Sequence, residues 1–425
     1  MDAVFISLAF CHSPMFHWLS TFFNRLIIWL VLLLVVAGCS SEASKEDVSA
    51  FPLRFEPADT LRLTLSQTAP NIWEALVNTC AGESGASLLL VDPYLPGLQV
   101  YDPATGQPVQ TIPLETEGPN DVGQIAHNLQ AACLEAGLFG VYKSFTPIAL
   151  FVVNDRGEVI RKIDLTEKAH QAHIVPFASE TSRPVVVGGK LLVGGYPYAP
   201  EQVGLIFSRI PSVCSMDWKS GTVDFVIPFP SVYDQGFYGV TMPWKYTPSL
   251  FFDQSRGHIW VSWPVSDTVL CFNPSLELLT RVPMSTGLFK PDIPFLESPP
   301  PLDQPYSRAM VEQEDLHSLT HSEWQQIFVM EQEGVPYVVR MAMMRPGQDE
   351  YMGGKKGLKA IVLVAFDAKT GEEKARLLLD TSKWALPVFF LDGRIYAGRA
   401  DWSDEDEDHM YFEGFELVRR VSMGG

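Results

Sequence analysis

The chain has 425 residues and a formal net charge of −19 at pH 7. An acidic surplus of this size excludes nucleic acid as a partner and disfavours contact with anionic lipid, since both rest on clustered Lys and Arg. The length exceeds one ordinary domain of ~100–200 residues and suits a single large all-β domain or a repeat protein.

The N-terminal segment reads as a targeting signal. Residues 26–37, LIIWLVLLLVVA, are twelve uncharged apolar residues, too few for a bilayer span of ~20 and right for the core of a secretory signal. VAGCSS follows at 36–41 and resembles the lipobox of bacterial lipoproteins. The resemblance implies removal of residues 1–38, a lipid on Cys39, and a membrane partner through that lipid. The first fourteen residues carry no basic group, whereas a start at Met15 would place Arg25 just ahead of the apolar run. Met15 is therefore the expected start. Residues 39–54 are expected to form a polar tether. Within it Lys45-Glu46-Asp47 resembles a surface-export signal. The predicted location is the outer membrane of the cell envelope, facing the periplasm or the cell surface.

Residues 55–425 are predicted to be one β-propeller. A turn recurs: YDPATGQ at 101–107, MDWKSGT at 216–222 and FDAKTGE at 366–372, with VNDRGEV at 153–159 and FNPSLEL at 272–278 as variants. Asp or Asn caps each turn, and Gly supplies the positive φ where it is present. A second signature precedes it. VVVGGKLLVGG (185–195), FFDQSRGHIWV (251–261), FVMEQEGVPYVV (328–339) and VFFLDGRIYAG (388–398) each read as strand, tight turn, strand. The repeating unit is four antiparallel strands, which predicts a ring of blades. Six units fall near 86–115, 141–166, 185–230, 248–284, 327–380 and 387–419. GQIAHNLQAACLEAG at 123–137 is expected to elaborate a loop. The Pro-rich segment at about 285–326 is an insertion that includes a short helix. The sixth unit lacks its fourth strand. TLRLTL at 60–65 is expected to supply it by pairing antiparallel with YFEGFEL at 411–417.

With the lipobox, the six-unit ring, EGPNDVG at 117–123, the fourth-blade stretch and EDEDHMYFEGFEL at 405–417, the chain resembles an uncharacterised Bacteroidetes-type family of six-bladed β-propeller lipoproteins, a domain of unknown function. The resemblance strengthens fold and location and implies no activity.

Motifs for chemistry are sparse. His317 and His321 stand at i and i+4 without the Glu of a zinc-protease motif, and His170 and His173 lie in a polar linker. The acidic run 401–408 lacks the spacing of a calcium loop. GGKKG at 353–357 is not a phosphate loop, and no nucleophile elbow occurs. No catalytic residue, metal or cofactor is assigned. Cys80, Cys133, Cys214 and Cys271 permit three pairings or remain thiols. Candidate ligand contacts are Trp244, Tyr246, Trp263, Arg340 and Trp402. The expected function is a binding or sensing module for a polar ligand, glycan, peptide or protein partner. The alternative is a propeller glycan lyase or hydrolase with a site over the channel.

Overall fold

The computed structural model describes residues 51–65, 76–82, 85–92, 97–123, 129–144, 148–198, 207–300, 306–403, 406 and 408–420. The signal segment, Cys39 and most of the expected tether lie outside them.

Six antiparallel sheets follow one another along the chain. They occupy 76–113, 129–164, 174–228, 249–283 and 323–379, with the sixth built from 384–419 and the strand Leu53–Thr64. Each has four strands, except that the inner edge of blade 3 is broken into Ile174–Pro176 and Val185–Val187. The fold is a six-bladed β-propeller.

Closure follows the sequence pattern. Leu53–Thr64 pairs antiparallel with His409–Arg419, placing Leu61 opposite Phe412 and Leu63 opposite Met410. The strand begins at Leu53, two residues inside the segment assigned to the tether. Its alternation buries Leu53, Phe55, Leu61 and Leu63 while intervening side chains face solvent. Leu61 and Leu63 join a cluster with Leu88, Leu90 and Tyr101 of blade 1 and Phe389, Met410 and Phe412 of blade 6. One strand thus supplies both the missing edge of blade 6 and part of its interface with blade 1.

The recurrent turns of blades 1, 2 and 5 seat those blades against their predecessors. Asp367 accepts hydrogen bonds from the backbone N–H groups of Lys369 and Thr370, and Gly371 then adopts φ 73°. A Cβ at Gly371 would overlap the carbonyl of Pro283 in blade 4, and one at Gly106 would overlap that of Arg62. Glycine is needed there for close approach as well as for φ.

The sequence reading placed three blade starts too late, the third at 185 where the blade begins with Ile174. Blades 1 and 2 begin with Leu76–Gly82 and Leu129–Glu135, the second inside the segment expected to be a loop elaboration. Leu129, Gln130, Ala131 and Ala132 are all buried, so this strand shows no polar alternation. Small residues there fit the crowded inner edge of the ring. A disulfide joins Cys80 and Cys133 across these two inner strands, with Cα atoms 5.4 Å apart. Cys214 and Cys271 are buried thiols, and burial pushes Cys271 up to about 12.

In the insertion, α-helix Arg308–Thr320 is capped by Ser307, whose hydroxyl accepts from the Met310 amide. Buried Glu314 anchors the helix to the linker between blades 3 and 4, accepting from the Thr241 amide and hydroxyl at 2.8 Å each and from the Tyr306 hydroxyl. Every blade starts its inner strand at the same end of the ring, so the inter-blade linkers and the loops after each second strand share that end. We call it the entry face.

Candidate functional site

The channel of this ring is divided. In blade 3 the inner edge leaves the sheet after Pro176 and returns at Val185, and residues 177–184 (FASETSRP) cross the channel. Contacts to four other blades or their linkers hold this bar. The Ala178 amide donates to the Ser144 hydroxyl at 3.5 Å, the Ser182 hydroxyl to the Pro248 carbonyl at 2.6 Å, and the Gln326 amide to the Glu180 carbonyl. Arg183 reaches the far side of the ring, where Nη2 donates to the Val388 carbonyl of blade 6 at 2.7 Å. Gly194 makes room for the bar, since a Cβ there would meet the Pro248 carbonyl and the Ser182 hydroxyl.

Above the bar, on the entry face, lies a cavity of about 270 Å3. Its walls include Gln130, residues 177–181 of the bar, Trp244, Glu323, Gln325 and Arg345. Each is placed by an element that begins or ends at this face. Gln130, Glu323 and Gln325 open the inner strands of blades 2 and 5, and Arg345 follows the second strand of blade 5. Trp244 sits in a single 3-10 turn, Pro243–Lys245, at whose N-terminus Pro243 fits because its ring fixes φ and no N–H is required. The turn is locked from behind by the Thr247 hydroxyl, which donates to the Pro243 carbonyl at 2.8 Å.

This cavity concentrates polar atoms that have no protein partner. Gln130 Oε1, Trp244 Nε1 and Arg345 Nε are buried and accept or donate no hydrogen bond among the described residues. A buried polar atom without a partner costs about 1–3 kcal/mol. Three such atoms line this one cavity. Glu323 stands at its base, fully buried, with Oε2 2.6 Å from Lys245 Nζ. That contact is an ion pair, and Oε2 accepts no hydrogen bond. Its other oxygen accepts from Gln325 Nε2 at 2.9 Å and lies 3.7 Å from Arg345 Nη2. Lys245 and Arg345 thus both lie against the one buried carboxylate of Glu323, and Glu180 also lines the wall.

Of the five residues expected to touch a ligand, only Trp244 lines this cavity. Tyr246 is in the core, its hydroxyl donating to the Gly239 carbonyl at 2.9 Å and its ring stacked on Tyr233 and Phe207. Trp263 is fully buried between blades 3 and 4. Arg340 is fully buried as well. It donates to the Ser262 hydroxyl and to the carbonyls of Trp263, Ser266 and Met284, with its guanidinium 4.0 Å from the Trp324 ring. It ties blade 5 to blade 4, and burial lowers it to about 9. These three pack inside the protein and do not line this cavity, although Trp263 Nε1 itself has no hydrogen-bond partner among the described residues. Trp402 covers Arg399 at 3.8 Å, with Trp384 on the same guanidinium at 4.6 Å, and does not line this cavity.

Sequence reasoning missed Gln130, Glu323, Gln325 and Arg345. Their common signal is a Gln or Glu at the first turn of an apolar inner strand, or a cation just after its hairpin partner. His317 and His321 stack at 3.9 Å on the insertion helix. Burial first, then His321 and Lys245, draws His317 down to about 3. Among the described residues no three His, Cys, Asp or Glu side chains group as a metal site.

The chain folds as a six-bladed β-propeller with an elaborated, polar entry face. Its likeness to solved structures is one of fold. A DUF4221-family member from Bacteroides vulgatus aligns with a TM-score of 0.68 and 13% identity, over 87% of this chain and 99% of the other. A protein from Bacteroides fragilis aligns with a TM-score of 0.48 and 13% identity over 86% and 96%, and a protein of unknown function from Bacteroides caccae with 0.36 and 16% over 76% and 94%. The family resemblance drawn from the sequence is thus met by a Bacteroides domain-of-unknown-function propeller. No protein-family model and no curated protein matches the chain.

Proposed function

We propose that the chain is a binding propeller, held at the bacterial envelope by a lipid on Cys39, that takes a neutral polar ligand in the entry-face cavity. The carrying observation is the set of unpartnered buried atoms there: one acceptor on Gln130 and donors on Trp244 and Arg345. A ligand rich in hydroxyl or amide groups both donates and accepts, and so can satisfy all three. Because Lys245 and Arg345 are already engaged with the buried carboxylate of Glu323, an anionic ligand would compete with that carboxylate for them. Binding fits this site better than hydrolysis, since both oxygens of Glu323 are engaged by protein cations or amide and are not poised for proton transfer.

The test is thermal-shift and calorimetric titration of the chain from Ser40 onward with glucose, N-acetylglucosamine and N-acetylglycinamide. Binding by at least one, weakened tenfold or more in both Gln130→Ala and Trp244→Phe, is expected. Unaltered affinity in both variants would sink the assignment. The anchor is tested separately: Cys39→Ala should abolish palmitate labelling and leave an unprocessed precursor, and continued labelling would refute it.

A further inference from the structure

Below the bar the channel opens into a second and larger cavity, about 350 Å3. It is deeper by the register of the inner strands: the entry-face cavity takes Gln130 and Glu323, and this one takes Ala132 to Leu134 and Gln326 to Phe328 from the same two strands. All six blades contribute to its wall.

Two features of that wall differ in kind. One side is aromatic. Phe251, Phe328 and Phe390, from blades 4, 5 and 6, meet edge to face, with Phe251 5.2 Å from Phe390 and 6.2 Å from Phe328. The other side carries Arg183 of the bar. Its Nε donates to the Glu180 carbonyl at 3.2 Å and its Nη2 to the Val388 carbonyl at 2.7 Å. A guanidinium has five N–H groups, so these two bonds fix its plane and leave the Nη1 pair unused. Among the described residues no carboxylate lies within ion-pair distance of Arg183, and Glu180 lines the other cavity. Burial lowers Arg183 to about 9, and the nearby Glu180 carboxylate opposes that shift only in part. Beside it Gln326 Oε1 is buried and unbonded.

We infer that this cavity is a second binding site, for a ligand that joins a carboxylate to an apolar body. A partly desolvated cation held by neutral carbonyls gains most from an anion, and a carboxylate matches the guanidinium fork. The phenylalanine cluster accepts the apolar body. Gln326 Oε1 would take a donor on the ligand or a water beside it. The volume lies within the ~300–1,000 Å3 range of small-molecule sites. This site is independent of the entry-face reading: it uses other residues and calls for a ligand of opposite character.

The experiment titrates the chain from Ser40 onward with 4-phenylbutyrate and with its uncharged twin, 4-phenylbutyramide, by calorimetry. The acid is expected to bind at least tenfold more tightly than the amide. Arg183→Gln should abolish that preference, Arg183→Lys should keep part of it, and Phe390→Ala should weaken both probes alike. Trp244→Phe should change neither. Should Arg183→Gln fail to fold, the acid–amide contrast in the unaltered protein and the Phe390→Ala variant still decide. Equal affinity for the two probes, no binding of either, a preference surviving in folded Arg183→Gln, full affinity in Phe390→Ala, or loss of binding in Trp244→Phe would each overturn the inference.

Discussion

Removing the closing strand should undo the ring. Leu53, Phe55, Leu61 and Leu63 are 3%, 7%, 6% and 0% exposed. Burying each such side chain contributes about 1.5–3 kcal/mol, so the four together contribute on the order of 6–12 kcal/mol. That figure is an upper bound, because an unfolded chain already hides part of this surface. It still rivals the whole stability of a typical domain, ~5–15 kcal/mol. The loss has a second part. Without Leu53–Thr64, the strand His409–Arg419 exposes an unpaired edge, which invites association between molecules. A chain beginning at Gln67 should therefore melt far below one beginning at Phe51, or aggregate on expression. The milder change Leu63→Ala, at a fully buried position against Leu88, Phe389 and Met410, should cost about 2–5 kcal/mol. Urea unfolding followed by circular dichroism measures both. Equal denaturation midpoints for the two truncated chains would refute the closure argument, and so would a Leu63→Ala cost below about 0.5 kcal/mol, the size of an ordinary surface change.

Three further outcomes follow from local geometry. Gly371→Ala should cost about 2 kcal/mol or more, since it meets the Pro283 carbonyl, whereas Gly257→Ala has φ 65° but open space around it and should cost about 1 kcal/mol; denaturant midpoints compare them. Lys245→Met alone strands Glu323 and should destabilise by about 3–5 kcal/mol, while Lys245→Met with Glu323→Leu should recover most of that loss; a thermal melt of the single and double variants decides. His317 is held near 3 when folded against ~6.5 unfolded, so the unfolded chain binds the proton first. Its contribution is complete above about pH 6.5 and is lost as pH falls toward 3, and His317→Gln should flatten the urea-midpoint profile across that window.

How much was legible in the sequence depended on whether side chains alternate. TLRLTL alternates strictly because one face of the closing strand meets two blades and the other meets water, so both its existence and its partner could be read. The Asp–Gly turns could be read because cap and positive φ restrict the residue types. Leu129–Glu135 could not, because an inner strand packed on both faces has no polar period and its small residues imitate a helix. The candidate site was only partly legible. Trp244 stood out because MPWKYTP lies between the third and fourth units, but the same reasoning brought in Tyr246, whose ring packs into the core two positions on. Trp263 and Arg340 follow or end inner-blade strands and looked available. Their polar atoms are instead satisfied by, or enclosed within, the neighbouring blade, which no single-strand pattern reveals. The bar across the channel was hidden for a related reason. FASETSRP reads as an ordinary polar loop, and only the ring brings Ser182 to Pro248 and Arg183 to Val388.

The most direct test of the binding assignment is a crystal structure of the chain from Ser40 onward, grown with whichever of the three neutral probes raises its melting temperature most. The account predicts the probe above residues 177–181, accepting from Trp244 Nε1 or Arg345 Nε and donating to Gln130 Oε1. A probe bound only at the opposite face, or on outer blade surfaces with the entry-face cavity empty, would contradict it.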